Sequence, residues 1–329
     1  MMAEKVSIIV PILNEKKYIS GCIDSLLMQD YPKERLEILL IDGDSEDGTA
    51  EIIKNYTEKY NFIKLLRNPQ KTVQYALNIG IENSLGNYIV RMDAHASYAP
   101  DYVSKCIEYL ESTGAENVGG TTVARGKTFV QKVVAAAYHS PFALGGSKHY
   151  DESYEGYADT VAWGSFKKET ILRLGMYDER LPRSEDDDLN FRIAESGGKI
   201  FVTPKIKSVY YPKESFLKLF KQYFEYGKWK VAVIKKHKRP SRIAHLIPML
   251  FAAFVVIFGL MSFFNAFFKI VFGFVMLLYF ALSLYFSFSS KYAHGLPSKF
   301  ALVWAHFVIH FSYGLGFWCG IVKFRKYKW

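Results

Sequence analysis

Three groups of side chains in the first two hundred residues have the types and spacing to do chemistry. In LLIDGDSEDGT, residues 39 to 49, Asp42 and Asp44 stand where a carboxylate can accept the N–H of a nucleotide base or the hydroxyls of its ribose. In YIVRMDAHASY, residues 88 to 98, Asp93 and His95 lie two apart. An oxygen and a nitrogen ligand so spaced can share a divalent ion with phosphate oxygens and water, and that ion would neutralise a departing diphosphate. In PRSEDDDLNFR, residues 182 to 192, four consecutive acids from Glu185 to Asp188 stand between Arg183 and Arg192. Crowding and burial raise a carboxylate pKa, and a base poised near neutrality can take a proton from a hydroxyl.

Each pattern alone also has a plain structural counterpart. Asp and Gly after a strand are turn and cap chemistry. An Asp-x-His pair is commonly a satisfied structural histidine, and an acidic run commonly a solvated helix start whose charge suits the dipole. In the third group, Leu189, Phe191 and Ile193 require part of the helix to pack, so some of the acids must face inward.

The elements that position these groups follow a strand and helix rhythm. Apolar runs at Val6 to Val10, Leu36 to Ile41, Phe62 to Leu66 and Tyr88 to Met92 alternate with helical patterns at Ile19 to Leu27, Val73 to Ile81 and Tyr102 to Leu110. This predicts an α/β fold with a mostly parallel sheet, whose ligands bind beyond the carboxyl ends of the strands. Pro11, Asn14 and Glu15 follow the first strand, Asp42, Asp44 and Asp47 the second, Asp93 and His95 the fourth.

Charge and hydropathy divide the remainder. Residues 1 to 204 carry 23 basic and 30 acidic side chains, 205 to 242 carry 12 and 2, and 243 to 329 carry 7 and none. A basic block directly before an apolar tail suits a membrane surface rather than nucleic acid, where basic residues spread over a folded recognition face. Three stretches lack Asp, Glu, Lys and Arg: 243 to 268, 270 to 290 and 300 to 322, each near the roughly 20 residues needed to cross a bilayer. The expected organisation is a catalytic domain over 1–210, a basic amphipathic interfacial segment over 211–242 and a membrane domain over 243–329. Its spans are expected at 243–265, 269–289 and 300–322. In the interfacial segment Phe216, Leu219, Phe220, Tyr223 and Phe224 recur at helical spacing among lysines, although an ordinary surface helix would read the same.

Glu4 stands where a signal peptide carries only positive charge, and the apolar run after it is too short for one. The catalytic domain is therefore expected in the cytoplasm of a multi-pass protein of the cell membrane. Three crossings, the favoured arrangement, then place Lys323, Arg325, Lys326 and Lys328 outside, against the tendency of Lys and Arg to remain inside, unless the last stretch, interrupted by Gly314, Gly316 and Gly320, does not fully cross. Cys22, Cys106 and Cys319 have neither metal nor disulfide spacing and read as small buried hydrophobes.

In sequence and order, VSIIVPILNE, LLIDGDSEDGT, KTVQYALNIGI, YIVRMDAHASY, LGMYDERLPRSEDDDLNFRIAESGGKIF and QYFEYGKWK closely resemble the family 2 glycosyltransferases, especially the succinoglycan-type bacterial glucosyltransferases. The resemblance covers roughly residues 5 to 235. It implies a GT-A nucleotide-sugar-binding sheet, Rossmann-like, and an inverting transfer from a nucleotide-diphosphate sugar, UDP-linked by preference, to a hydroxyl of a lipid-linked or polysaccharide acceptor. By the same resemblance Pro11, Asn14, Glu15, Asp42, Asp44, Lys71, Asn78, Arg91 and Asp93 bind the donor. Asp93 and His95 hold a divalent metal, Mg²⁺ or Mn²⁺, and Asp186 beside Glu185 is the catalytic base. Arg183, Gln222, Lys228 and Trp229 meet the acceptor or close over the diphosphate.

Two departures stand out. His95 replaces a second Asp that many members carry in the metal motif. The late Gln-x-x-Arg-Trp element of processive synthases reads Gln222-Tyr-Phe-Glu225-Tyr226 here, so its arginine is absent, Lys228 is the available substitute and long-chain processive synthesis is disfavoured. Transfer to a polyprenyl phosphate is the competing enzymatic reading, and a nucleotide-sugar sensor or scaffold in a polysaccharide assembly complex the competing non-catalytic one. A pure binder has no need of the base.

Overall fold

The first, second and fourth apolar runs become strands buried on both faces, with Ser7, Glu37 and Arg91 buried among them, whereas the third leaves Lys64 and Arg67 exposed. In the computed structural model, which describes residues 4–329, β1 (Val6–Ile12) and β2 (Leu36–Asp42) run parallel with Ile12 opposite Asp42. β3 (Ile63–Arg67) pairs with β2 and β4 (Tyr88–Arg91) with β1, both parallel. The helices Ile19–Leu27, Thr49–Thr57 and Val73–Asn83 connect them. Their apolar residues fall on one face: Ile19, Cys22, Ile23 and Leu26 are buried, at the spacing of a single helical stripe. Burial of each large aliphatic side chain contributes about 1.5–3 kcal/mol. The cost of this arrangement is topological, since four parallel strand ends deliver their polar loops to one edge of the sheet.

Beyond β4 the sheet turns antiparallel. β5 (Ala96–Tyr98), β6 (Asn117–Ala124), β7 (Gly156–Ala158), β8 (Ser165–Lys167) and β9 (Ile200–Tyr210) complete the order β3-β2-β1-β4-β8-β6-β9-β5, with β7 added on β9. β8 runs antiparallel to β4 and β6, and β9 antiparallel to β5 and β7. The expected parallel arrangement therefore describes β3-β2-β1-β4, and the whole is a mixed sheet. Three of the five added strands are three residues long, and β6 carries Gly119-Gly120, where a Cβ on Gly120 would penetrate the backbone of Ile206. Such strands have no long apolar run to announce them.

This sheet and its helices form one compact unit, residues up to Val123 together with Lys148–Tyr210. A second unit is built from Ala124–Ser147 and Tyr211–Trp329. Ala124–Ser147 thus leaves the catalytic domain expected over 1–210. Its helix Phe129–Tyr138 buries Val133, Val134 and the small run Ala135–Ala137, and neighbouring carbonyls of Phe142 and Ala143 accept from His310 Nε2 at 2.9 and 3.2 Å.

The second unit contains three helices long and apolar enough to cross a membrane, Ile243–Met261, Ala266–Ser289 and Gly295–Lys323. The basic helix Phe216–His237 is capped at its start by Ser215 Oγ, which accepts from Lys218 N at 3.2 Å. It does not lie alone: Gly227 abuts the carbonyl of Tyr313, and Gly316 and Gly320 abut those of Phe224 and Lys228, each with no room for a Cβ.

Candidate active site

The loop after β1 and the loop after β2 are laced together by side chains. Asn14 adopts a left-handed backbone with φ 55°, its amide donates to Ser45 Oγ at 2.8 Å, and its Oδ1 accepts from Glu46 N at 2.9 Å. Asp42 accepts from Ser45 N at 3.0 Å and Ser45 Oγ at 2.6 Å, so this buried carboxylate shapes its own loop. Asp47 does the same for the following helix, accepting from Thr49 N and Lys16 N, both at 3.1 Å. Asp44, with φ 55°, is gripped by the fork of Arg67 at 2.6 and 3.0 Å, which holds its carboxyl below the usual range. Pro11 lies opposite Ile41 in the β1–β2 register, and exposed Lys71 pairs with Glu46 at 3.5 Å.

Asn78 is more committed than a pocket-lining residue. It is buried, its Nδ2 donates to Tyr177 O at 2.9 Å and Glu179 Oε1 at 3.1 Å, and its Oδ1 accepts from Tyr177 N at 3.0 Å. Its side chain fixes the Tyr177–Glu179 turn.

The centre of the site is Arg91, the last residue of β4 and 5% exposed. Its Nη1 donates to Asp186 Oδ1 at 2.6 Å and to Glu185 Oε1 at 3.1 Å, while Nε approaches Asp93 Oδ1 at 3.4 Å. One guanidinium thus gathers three carboxylates from two distant segments. With all three ionised the cluster carries an excess of two negative charges. Burial works against the charge on Arg91, but Asp186, Asp93 and Glu185 more than offset it and hold its pKa well above the usual value. Burial pushes Asp186 up to about 7, with Arg91 opposing the rise and Glu185 adding to it. Its side chain remains 27% exposed, enough to meet a ligand.

The helix Glu185–Glu195 delivers these acids from its first turn, after Ser184 in a left-handed conformation with φ 63°. The acidic run divides by role. Glu185 and Asp186 face Arg91, whereas Asp188 is fully buried against Arg192 at 2.9 Å. Arg192 also donates to the carbonyls of Met176, at 2.6 Å, and Leu174. That pair anchors the helix so that its first turn stays in place.

Asp93 is held from several sides. Trp163 Nε1 donates to its Oδ2 at 2.7 Å, and its amide donates to Tyr98 OH at 2.5 Å. Trp163 itself has φ 53°, a conformation that costs about 1–3 kcal/mol for a bulky residue. The sequence reading missed Trp163: it lies in no periodic run, and its only local cue is Gly164, where a Cβ would strike Asn117. His95 joins the first loop to the fourth, its Nδ1 3.0 Å from Glu15 Oε1, and its ring meets Tyr210 edge-on at 5.7 Å.

Asp93 and His95 supply hard oxygen and imidazole nitrogen beside surplus negative charge, a donor set that fits a divalent cation such as Mg²⁺ or Mn²⁺. Among the described residues no three His, Cys, Asp or Glu side chains form a ready cage, so such an ion would take most of its ligands from diphosphate and water. Arg183 is exposed in the turn before the acidic helix. Gln222, Lys228 and Trp229 belong to the second unit. There Gln222 donates to Tyr226 OH at 2.9 Å, and Glu225 accepts from both Lys228 and Trp229.

Known proteins resemble this chain along most of its length. A family model described as glycosyl transferase family 2 matches residues 7–167. A succinoglycan biosynthesis protein of Rhizobium meliloti is 28% identical over 97% of this chain and 96% of its own. A dolichyl N-acetyl-α-D-glucosaminyl phosphate 3-β-D-2,3-diacetamido-2,3-dideoxy-β-D-glucuronosyltransferase of Methanococcus voltae is 33% identical over 70% of this chain and 74% of its own. In fold, the chain resembles a mannosyltransferase of Pyrobaculum calidifontis solved in complex with GDP-mannose and Mn²⁺, with a TM-score of 0.68, 18% identity, and coverage of 96% and 88% of the two chains.

Proposed function

The chain belongs to glycosyltransferase family 2, and we propose that it transfers a sugar, with inversion, from a nucleoside diphosphate to a hydroxyl of a lipid-linked or polysaccharide acceptor, with Asp186 as the base. The observation that carries this reading is the single buried guanidinium of Arg91, which holds Asp186 and Asp93 together at the end of β4. A base and a diphosphate-facing acid fixed to one rigid group are pre-positioned for a displacement.

In that displacement Asp186 accepts the proton of the acceptor hydroxyl as its oxygen attacks the anomeric carbon. The bond from that carbon to the diphosphate oxygen breaks on the opposite face, and no covalent enzyme intermediate forms. Base assistance of this kind contributes about 10²–10⁴ in rate. Arg91 keeps Asp186 oriented and limits the rise of its pKa, so an ionised fraction exists at neutral pH. Burial is the main reason that Asp186 is basic, and the negative charge of Glu185 adds to it.

A divalent cation held by Asp93 with His95 would supply charge stabilisation to the leaving diphosphate. Trp163 and Tyr98 hold the Asp93 carboxylate and backbone for that role. The loops of Asn14, Glu15, Asp42 and Asp44 form the nucleoside end of the site, Asp44 set by Arg67 and Asp42 shaping the turn that carries it. A UDP-sugar is the favoured donor. The apolar helices suit a multi-pass protein of the cell membrane with its catalytic unit in the cytoplasm, where a lipid-linked acceptor would present its sugar.

The test is Asp186→Asn in membranes supplied with radiolabelled nucleotide sugars. Transfer is expected to fall by at least a hundredfold with donor binding retained. Activity near that of the unaltered enzyme would remove Asp186 from the reaction.

A further inference from the structure

We infer that only the hairpin of the first two apolar helices enters the bilayer, and that the third, Gly295–Lys323, does not cross it, so that the residues after Lys323 stay on the same side of the membrane as Asp186. This rests on the membrane association proposed above and changes its topology. At about 1.5 Å per residue the third helix is roughly 43 Å long, well beyond a hydrocarbon core of about 30 Å. Its most apolar window is half buried by protein, against 6% for each of the other two.

What covers it decides the matter. The basic helix Phe216–His237 runs parallel to its carboxyl-terminal half, as successive contacts show: Phe224 O against Gly316, Lys228 O against Gly320, and Lys235 Nζ donating to Phe324 O at 2.5 Å and Arg325 O at 3.2 Å. Trp229 packs on Phe324 with ring centroids 5.0 Å apart, and Lys323 Nζ lies 5.0 Å over the Trp229 ring. To carry the end of the third helix across the bilayer would therefore carry the basic helix with it. That helix bears Lys218, Lys221, Lys228, Lys230, Lys235 and Lys236, each costly in hydrocarbon. It also follows the last strand after only residues 211–215, with no span between.

The hairpin has the opposite character. From Ile243 to Ser290 its one charged side chain is Lys269. Its helices pair through Phe254 with Phe272 and Phe258 with Phe268, and the connection leaves Phe263 83% and Phe264 82% exposed. Nineteen and 24 residues give about 28 and 36 Å, enough to cross and return. Arg239, Arg242 and Lys291 then flank both feet of the hairpin, and Lys323, Arg325, Lys326 and Lys328 remain on that face, as the preference of Lys and Arg for the inner side requires.

The full-length protein in sealed inverted membrane vesicles tests this with a membrane-impermeant maleimide. Cys22 and Cys106 are buried, and exposed Cys319 is replaced by serine, leaving single reporters K59C on the catalytic unit, K326C, and F264C at the hairpin tip, all at exposed positions. Positions 59 and 326 are expected to label from the same side, and 264 only from the other side or once the membrane is dissolved. Labelling of 326 from the side opposite 59 would show three crossings and overturn the inference. So would labelling of 264 from the side of 59. Recovery of the unaltered chain without membranes would instead sink the membrane reading on which it rests, whereas loss of transfer activity in a vesicle with correct sidedness leaves the topology standing.

Discussion

One helix supplies carboxylates from its first turn to two arginine clusters, and they are built differently. Asp188 and Arg192 balance charge for charge, and the remaining guanidinium donors reach backbone carbonyls. Arg91 faces three carboxylates and leaves a surplus of negative charge beside a partly exposed Asp186. A neutral, satisfied pair fixes position; an unbalanced cluster stores reactivity, because its excess charge is stabilised only when a proton or cation arrives. Asp188 is fully buried whereas the Asp186 side chain is 27% exposed, so exposure and charge balance together set the satisfied pair apart from the open cluster.

The largest expected effect tests the unbalanced side. Asp186→Asn should lower kcat by about 10²–10⁴, while the thermal midpoint stays unchanged or rises because a buried like charge is removed. A simultaneous fall in stability would mean that Asp186 is an anchor after all. Asp188→Ala should do the reverse, costing about 3 kcal/mol or more of folding stability, read by denaturant unfolding of the purified protein, because Arg192 loses its buried counter-charge. Its activity per folded molecule should persist, and specific loss of rate without loss of stability would erase the contrast.

The pH dependence sharpens the comparison. As the proposed base, Asp186 must be ionised, so transfer should fall about tenfold for each unit below its raised value of about 7 and level off above it. Stability moves the other way. The folded-state value lies above the ordinary carboxylate value of about 4, so the folded form holds a proton that the unfolded chain has released between these limits. The stability from this group is present below about pH 4 and lost as pH rises through about 7, and Asp186→Asn should flatten that slope while Asp188→Ala leaves it. The smallest effect is expected from Trp163→Phe. Losing one hydrogen bond to the Asp93 carboxylate should reduce kcat/KM by about tenfold and weaken the response of nucleotide affinity to chelator. Unchanged values would relieve Trp163 of any part in holding Asp93.

Much of this was legible in the residues. The largely apolar runs that became β1, β2 and β4 announced themselves by composition, and the polar residues after them lie at the sheet edge that a parallel arrangement exposes. Less could be read where contact depends on distant segments. The acids at 185–188 form one run in sequence, and only the folded helix parts Asp186 from Asp188. Trp163 reaches Asp93 from seventy residues away through a strained backbone that no pattern encodes. Three of the antiparallel strands, β5, β7 and β8, are too short to leave a period, and the basic helix 216–237 read as amphipathic without revealing that glycines of a helix 90 residues later close on it.

The discontinuity of the second unit sets a schedule for the newly made chain. Ala124–Ser147 and the basic helix have their partners on Gly295–Lys323, which is synthesised last among them. At about 5–20 residues per second, the ribosome takes on the order of 10 s or more to travel from Ser147 to Lys323. Through that interval the apolar helix Phe129–Tyr138 has no finished surface to cover it, while the strands of the first unit are complete once Tyr210 has emerged. The catalytic unit can therefore mature before the second unit is complete, and the exposed interval is the stage at which a chaperone or the membrane-insertion machinery has something to hold.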